Sequence, residues 1–305
     1  DRVDLRVGLL RQVFLGPLGR FLEPLEGHLI FAQIDAIFFL KRIGEVVHKH
    51  CGINLQQGKR DMVTSRILKR VSQGGYETIT HYLDAVLPNP SGAEFGAMID
   101  ALSTNLTHFF RENAHFEYLT RTHIPAILAR KTAQGVPRIR AWSAGCSTGE
   151  EPYTLGIVVK EALSHMRVHD AKILATDISN RVLNVAVTGR YKPEVVDAVN
   201  PALRAKYFKL VQMNDGPRHQ VNGDLTAMVS FRKLNLMDTW PFTGTFDFIF
   251  CRNVMIYFDK ATQSRLVERF WQQMEPGGVL FTGHSESLLG FAHKFKYVEP
   301  TIYMK

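Results

Sequence analysis

Hydrophobic residues follow a helical spacing over the first part of the chain. Between residues 35 and 111 they recur every three or four positions, as Ile37, Leu40, Ile43 and Val47 do. Side chains at this spacing share one face of an α-helix, so the pattern predicts an all-helical region. In residues 1–34 a short helical pattern breaks at a Gly-Pro pair, and we assign this segment no function.

From residue 137 to the C-terminus, short apolar runs alternate with helical patterns. The apolar runs predict strands near residues 138–143, 172–176, 228–234, 246–251 and 278–283. The helical patterns predict helices near residues 150–163, 179–187 and 261–274. Strands that alternate with helices are typical of an α/β fold with a parallel sheet. A polar insertion near residues 190–227 predicts a small helix with a few short strands.

These patterns divide the chain into four predicted segments. An unassigned N-terminal segment, residues 1–34, precedes a helical domain over residues 35–111. A linker helix is predicted over residues 112–136, before a cofactor-binding domain over residues 137–305 that contains the insertion.

A strand that ends in a glycine-rich turn carries the candidate chemistry. Arg138–Ala144 alternates like a strand, Gly145–Gly149 interrupts it, and a helical pattern starts at Glu150. A second apolar run, Lys172–Thr176, ends in Asp177. In Rossmann-like sheets such glycines let the backbone approach a nucleotide cofactor, and the carboxylate accepts hydrogen bonds from ribose hydroxyls. The sequence therefore predicts a nucleotide-cofactor site.

Five segments, in this order, resemble the chemotaxis receptor glutamate methyltransferases, the CheR family. The matching segments are Thr104–Glu112, Trp142–Tyr153, Ala175–Ile178, Phe250–Phe258 and Gly283–Glu286. The resemblance implies a Rossmann-like class I S-adenosylmethionine-dependent methyltransferase sheet, an N-terminal all-helical domain and a small β-subdomain insertion. It also implies transfer of a methyl group from S-adenosylmethionine to receptor glutamates in sensory adaptation, with release of S-adenosylhomocysteine.

The resemblance also implies which residues form the site. Contacts with the cofactor are implied for Asn105, Thr107, Arg111, Ala144, Glu151, Asp177, Asn235, Leu236, Arg252 and Asn253. The reacting groups are implied to lie beside Arg111 and Tyr257, with Tyr257 next to the transferred methyl. Further candidates for the site are Asp238, His284 and Glu286.

The implied chemistry requires little of the protein beyond placement. A glutamate side chain has a reference pKa of about 4.3, so it is already ionised near neutral pH. A carboxylate that attacks a sulfonium methyl group therefore needs no general base and no metal ion. Proximity, orientation and removal of water then carry the rate.

A basic helical stretch is the candidate docking surface for the methylation region of the receptor. On a helix, Lys59, Arg66, Lys69 and Arg70 share one arc, opposite an apolar arc of Val63, Ile67, Leu68 and Val71. The composition alone fits a solvated face, and the resemblance implies that this face docks on the acidic cytoplasmic methylation region of chemoreceptors. In some relatives a glycine-rich loop of the β-subdomain grips a receptor pentapeptide. The corresponding segment here, residues 211–219, contains one glycine, which argues against tethering.

Composition narrows the setting of the protein. The net charge of +8 suggests an acidic partner, which by charge alone includes nucleic acid, an anionic membrane or a glutamate-rich protein. The three cysteines at positions 51, 146 and 251 form no disulfide framework, which favours the reducing cytoplasm. No apolar run approaches the roughly 20 residues that span a bilayer. We expect a monomer without membrane insertion, nucleic-acid binding or a metal site.

Two other interpretations use parts of the same sequence. Gly145–Gly149 matches the G-x-S-x-G turn of α/β-hydrolases, and Asp247 and His284 follow it in the order of a Ser-Asp-His triad. Against a hydrolase, Asp247 precedes an apolar strand and the position of Asp177 has no role in a triad. The second alternative keeps the fold but methylates nucleic acid or an amine. It lacks the Asn-Pro-Pro-Tyr type of motif after the fourth strand.

Overall fold

The computed structural model describes residues 39–55, 60–135, 137–164 and 170–305. The first part is helical, as predicted. Its helices are α1, which includes residues 39–51, α2 (Arg60–Gln73), α3 (Ile79–Val86) and α4 (Ala93–Leu102). They enclose their own core, to which α2 contributes Val63, Ile67 and Val71. Leu68, predicted on the same apolar arc, is 49% exposed, so that part of the prediction is wrong.

A mixed sheet forms the centre of the second part. Its strands are β1 (Arg138–Ala144), β2 (Asp170–Asp177), β6 (Val229–Lys233), β7 (Phe246–Cys251), β8 (Met274–Thr282), β9 (Lys296–Glu299) and β10 (Ile302–Met304). The strand order is β6-β2-β1-β7-β8-β10-β9, and the first five strands run parallel. β10 is antiparallel to both of its neighbours. The five predicted strands are present, whereas β9 and β10 were not predicted.

Helices cover both faces of this sheet. They are α5 (Ala114–Tyr118), a π-helical turn (Leu119–His123), α6 (Ile124–Ala133), α7 (Glu150–Leu163), α8 (Asn180–Thr188) and α12 (Lys260–Gln272). The segment predicted as a linker helix is helical, but it packs directly on the sheet. Phe116 and Ile127 share one core with Phe248 and Phe250 of β7. This packing places the residues just before α5 beside the carboxyl end of the sheet.

The predicted insertion is a separate small sheet. It contains β3 (Arg190–Tyr191), α9 (Pro193–Val196), α10 (Pro201–Tyr207), β4 (Phe208–Met213) and β5 (Gly216–Val221), and α11 (Gly223–Thr226) leads back to β6. The strands are antiparallel in the order β3-β5-β4, so β3 and β4 are its edges. No helix of the described residues is long and apolar enough to cross a membrane.

A buried ion pair fastens the helices to the amino end of the sheet. The Asp247 side chain is fully buried, and its carboxylate lies 2.7 Å from Lys131 Nζ and accepts a hydrogen bond from the Arg140 backbone amide. Nearby, His123 Nε2 lies 3.1 Å from the Asp247 carbonyl oxygen. Burial is the main cause that lowers the pKa of His123 to about 4.

The buried His123 makes a contribution to stability that is lost in acid. The unfolded chain takes up a proton on His123 near pH 6.5, whereas the folded protein resists it down to about pH 4. The contribution of His123 to the free energy of unfolding is therefore complete above about pH 6.5. It is lost as the pH falls toward 4, by at most about 1.4 kcal/mol per pH unit. Between about pH 7 and pH 5, we expect the free energy of unfolding to decrease less in the His123→Gln protein than in the wild type. Urea denaturation at each pH measures this decrease.

The matched control is His81→Gln, because His81 is exposed on α3. It should keep the pH dependence of the wild type. An identical pH dependence in the wild type and in His123→Gln would contradict the assignment to His123.

Candidate active site

The site is a cleft at the carboxyl ends of β1, β2 and β7, where open α/β sheets bind ligands. The cleft measures about 890 Å³, including space open to solvent. Ten of the eleven residues predicted as catalytic or cofactor-binding line it: Asn105, Thr107, Arg111, Glu151, Asp177, Asn235, Leu236, Arg252, Asn253 and Tyr257. The eleventh, Ala144, is buried at the end of β1 and does not line the cleft. Asp238 lies outside it, in a neighbouring groove.

Glycines shape the loop between β1 and α7. Gly145 and Gly149 have φ values of +86° and +99°, in the left-handed region that favours glycine. A Cβ atom on Gly145 would lie 2.3 Å from Cγ2 of Val254, which follows β7. The two loops can therefore approach each other only because residue 145 has no side chain. Both Gly145 and Val254 line the cleft.

Asp177 ties the ends of two strands together. Its Oδ2 accepts a hydrogen bond from the Ser147 amide at 2.9 Å, and its Oδ1 accepts one from the Ser179 amide at 3.0 Å. Burial raises the pKa of Asp177, and these amide donors partly offset the rise. Each oxygen keeps a further lone pair, so the carboxylate can accept hydrogen bonds from ligand hydroxyls. Ser179 caps α8, since its hydroxyl accepts a hydrogen bond from the Val182 amide.

Arg252 is the buried cation of the site. Its Nε lies 3.3 Å from Glu151 Oε2 and 3.6 Å from Glu112 Oε2, and its Nη2 donates to the Arg111 carbonyl oxygen. The guanidinium is also flanked by the Phe116 ring, whose centroid is 5.4 Å away. Two carboxylates and a carbonyl thus hold one charge that is 5% exposed. Sequence reasoning missed Glu112, although it ends the first segment of the resemblance.

Glu112, His115 and His284 could also offer ligands to a metal ion, because one atom from each lies within 4.8 Å of the others. Arg252 already supplies a cation there, since its Nη1 lies 3.4 Å from His115 Nδ1. Thr301 donates its hydroxyl to the Pro300 carbonyl and so accepts from His115 Nε2. Burial and the nearby Arg252 lower the pKa of His115 to about 3. This histidine is therefore neutral and a weak base at neutral pH.

The segment before α5 contributes donors to the cleft. Arg111 is held by a 2.7 Å hydrogen bond from its Nη1 to the Leu106 carbonyl oxygen. Asn105 Nδ2 is buried and has no hydrogen-bond partner among the residues that the structure describes. A buried amide without an acceptor carries an energetic penalty, which a polar ligand in this cleft would remove. The donor set therefore fits a ligand with acceptor groups, such as the carboxylate and ribose of S-adenosylmethionine.

Tyr257 is placed by contacts with the helical part of the chain. It lies in a 3-10 turn (Met255–Tyr257), and its hydroxyl donates to the Thr104 carbonyl at 3.3 Å. The Asn54 amide donates to the Tyr257 carbonyl at 2.7 Å, and Ile53 pairs with Phe258 in a single β-bridge. Ile53 and Cys51 themselves line the cleft. No local pattern in the sequence indicates this role for Cys51 and Ile53, because their partners are some 200 residues away in the chain.

Glu286 supports the loop after β7 but does not line the cleft. Its carboxylate accepts hydrogen bonds from the amides of Asn253 and Gly283 at 2.6 Å and of Ile256 at 3.1 Å. Asn253 has a φ of +59°, a conformation that non-glycine residues rarely adopt. Three amide donors on one carboxylate hold that strained turn in place. The His284 side chain is 63% exposed and also lies outside the cleft.

The hydrolase interpretation is wrong. Ser147 donates its hydroxyl to the Asn105 carbonyl oxygen at 3.0 Å. Asp247 is at the amino end of β7, whereas Ser147 follows the carboxyl end of the parallel strand β1. The two side chains therefore lie at opposite ends of the parallel strands and form no triad.

Two family models cover nearly all of the described chain. The CheR methyltransferase SAM-binding domain matches residues 105–304, and the CheR methyltransferase all-alpha domain matches residues 40–103. The chain belongs to the CheR family. Its fold class is the predicted one, and the chain is an S-adenosylmethionine-dependent methyltransferase.

Curated relatives match this chain in sequence over most of their length. A chemotaxis protein methyltransferase of Borreliella burgdorferi is 40% identical over 87% of this chain and 93% of its own. A probable chemotaxis protein methyltransferase of Rhizobium etli is 38% identical over 85% and 96%, respectively. A solved S-adenosylmethionine-dependent methyltransferase of Methanosarcina mazei shares 16% identity, with a TM-score of 0.30 over 48% of this chain and 51% of its own. That last likeness is too weak to add to the assignment.

The contacts of Arg252 predict that lysine cannot replace it. A lysine keeps the charge but loses the planar fork that contacts Glu112, Glu151 and the Arg111 carbonyl together. The charge-assisted hydrogen bond from Arg252 to the Arg111 carbonyl contributes about 1.5–3 kcal/mol to holding the segment before α5 in place. A ligand that must restore the segment on binding loses affinity by a similar amount. We therefore expect Arg252→Lys to raise the dissociation constant of S-adenosylhomocysteine roughly 10- to 100-fold. Isothermal titration calorimetry measures this constant directly.

The control is Arg140→Lys, since Arg140 pairs with Asp170 at the opposite edge of the sheet. It should bind S-adenosylhomocysteine as the wild type does. Unchanged affinity in a folded Arg252→Lys protein would refute the role of the fork.

Proposed function

We propose that this protein transfers the methyl group of S-adenosylmethionine to the side-chain carboxylate of specific glutamates in methyl-accepting chemotaxis receptors. The products are a glutamate methyl ester and S-adenosylhomocysteine. The observation that carries this proposal is membership in the CheR family with the predicted site residues gathered around one cleft. When bound, S-adenosylmethionine supplies an electrophilic methyl group on a sulfonium centre.

The described residues support an acceptor that is already ionised. An in-line attack by a carboxylate forms a C–O bond as the S–CH₃ bond breaks, and no proton moves. An amine acceptor must first lose a proton to a base. The buried histidine beside the site, His115, has its pKa lowered to about 3 and is a weak base at neutral pH. His115 therefore gives no support to a nitrogen acceptor, which would need a base, whereas a carboxylate acceptor needs none.

Each side chain of the cleft has a proposed role. Asp177 accepts hydrogen bonds from the ribose hydroxyls, and the loop at Asn235 and Leu236 receives adenine. Arg111 orients either the methionine carboxylate or the incoming glutamate, and Tyr257 borders the transferred methyl, where an aromatic face favours a cation. The other proposed cofactor contacts are Asn105, Thr107, Glu151, Arg252 and Asn253. For Ala144, behind the wall, we retain only a role in shaping the cleft.

We propose a separate role for each of three parts of the chain. We retain residues 35–111 as the docking domain, residues 112–136 as a connecting segment and residues 137–305 as the catalytic domain. The partner is the cytoplasmic methylation region of a receptor, which sets the protein in the cytoplasm, and we expect a monomer. Free, buried cysteines are compatible with that compartment. The hairpin between β4 and β5 turns tightly around one glycine, Gly216, which supports the proposal that receptors are not tethered there.

The decisive experiment uses S-adenosylmethionine labelled on its methyl group. The protein is incubated with chemoreceptor cytoplasmic fragments, each made with and without a C-terminal pentapeptide, and label released as methanol by mild alkali is counted. We expect base-labile label at equal rates on both forms of each fragment, because carboxyl methyl esters hydrolyse readily. Base-stable label would move the assignment to a nitrogen acceptor. Faster labelling of the fragment with the pentapeptide would instead show tethering.

The docking surface contains two kinds of basic residue. Arg66 Nη1 donates to the carbonyl oxygens of Ala101, Leu102 and Ser103, which are the free acceptors at the end of α4. Arg70 pairs with Glu94. Lys69 is exposed, and Lys59 lies outside the described residues. We therefore propose Lys69 as the residue of this surface that is most available to a receptor.

These contacts predict different results for two substitutions on α2. Lys69→Glu should raise the KM for the receptor fragment severalfold by charge repulsion, with the melting temperature and the affinity for S-adenosylhomocysteine unchanged. Arg66→Ala should instead lower the unfolding free energy by about 1–3 kcal/mol, because three buried or partly buried carbonyls lose their donor. Methylation kinetics and thermal unfolding of both variants test this. A Lys69→Glu protein with an unchanged KM would exclude Lys69 from docking.

A further inference from the structure

A short loop after β6, residues 234–238, forms one wall of the cleft. Within this loop, the side-chain amide of Asn235 makes all its hydrogen bonds to other groups of the protein. Asn235 Nδ2 donates to the His50 carbonyl at 2.7 Å and to Asp238 Oδ1 at 3.0 Å. Its Oδ1 accepts from the Met237 amide at 3.1 Å. Both donors of this side chain are therefore used inside the protein. What the loop offers a ligand depends on the orientation of its backbone and of Leu236, which lines the cleft.

Arg269 on α12 holds that backbone from behind. Its Nη1 donates to the Leu236 carbonyl oxygen and its Nη2 to the Asp238 carbonyl oxygen, each at 2.5 Å. The peptide unit between Leu236 and Met237 is thus held at both ends, by Arg269 at the carbonyl and by Asn235 at the amide. Two parallel donors on two carbonyls fix the direction of each, as a single donor cannot.

The guanidinium is itself fixed by stacking. Its central carbon lies 4.0 Å from the centroid of the Trp240 ring, a cation–π distance. Trp240 in turn packs against Trp142 of β1 and Phe270 of α12. Burial lowers the pKa of Arg269, but an arginine remains charged at neutral pH. The fork is therefore anchored to the core of the sheet, and it does not itself line the cleft.

We propose that Arg269 is a positioning residue for the nucleoside part of S-adenosylmethionine. Through the carbonyls of Leu236 and Asp238 it sets the loop that receives adenine, and so it determines the affinity for the cofactor rather than the rate of methyl transfer. This inference rests on the proposed function, in which the loop receives adenine.

The chain offers a matched control on the same helix. Arg265 lies one turn before Arg269, is exposed, and donates to Thr262 of its own helix at 3.0 Å. Arg265→Gln removes the same charge from the same helix, and among the described residues the hydrogen bond given for Arg265 is to Thr262 and not to the loop. Arg269→Gln removes the fork, whereas Arg269→Lys keeps the charge and can reach at most one carbonyl at a time.

The test compares two ligands and two kinetic parameters. Dissociation constants are measured for S-adenosylhomocysteine and for adenosine, which lacks the amino-acid part, together with KM for S-adenosylmethionine and kcat on a receptor fragment. We expect Arg269→Gln to weaken both ligands about 10-fold or more, by similar factors, with kcat within about twofold of the wild type. Arg269→Lys should lie between, and Arg265→Gln should match the wild type.

Several outcomes would overturn this inference. If Arg269→Gln lowers the melting temperature but both dissociation constants stay unchanged below it, the residue is merely structural. If affinity falls for S-adenosylhomocysteine but not for adenosine, the fork acts on another part of the ligand. A wild-type protein that binds S-adenosylhomocysteine but labels no receptor fragment would refute the proposed function alone, because the two dissociation constants still test Arg269.

Discussion

The arrangement of the site depends on the buried guanidinium of Arg252. It joins the segment before α5, the start of α7 and the end of β7 through Glu112, Glu151 and its own backbone. Taking three charges out of water is unfavourable, and a buried ion cluster of this kind adds little net stability. Its consequence is geometric, because none of the three segments can shift without leaving a buried charge unpaired. The cleft walls are thereby fixed relative to one another before a ligand arrives.

The same burial changes the pKa values of carboxyl groups in and around the cleft. Burial raises the pKa values of Glu151, Asp177 and Glu286, in each case as the largest cause. A carboxyl group whose pKa is raised on folding binds a proton more readily in the folded state, so stability at neutral pH is lower than below about pH 4.5. These residues thus oppose folding at neutral pH. Sites that hold ligands commonly carry such a stability deficit.

Much of this architecture could be predicted from the sequence, for a physical reason. The strand β7 is buried along its whole length and is apolar except for Asp247, and the glycines and Asp177 stand where parallel strands end. β9 and β10 were missed because they are short, and Lys296–Glu299 carries charged ends typical of an edge. Arg269 was missed for another reason. A helix pattern shows that it is polar, but only the fold shows that it reaches two carbonyls of a distant loop.

The contacts of Tyr257 join the helical part of the chain to the cleft. Its position is set by the Asn54 amide and by the bridge between Ile53 and Phe258, both of which come directly after helix α1. The helical part of the chain, proposed to meet the receptor, therefore also forms one wall of the cleft. Carboxylate attack on a sulfonium methyl is accelerated by desolvation and alignment, without proton transfer. The cleft lies between the helical domain, which is proposed to meet the acceptor, and the sheet that binds the cofactor. This arrangement would bring the two reactants together in one place.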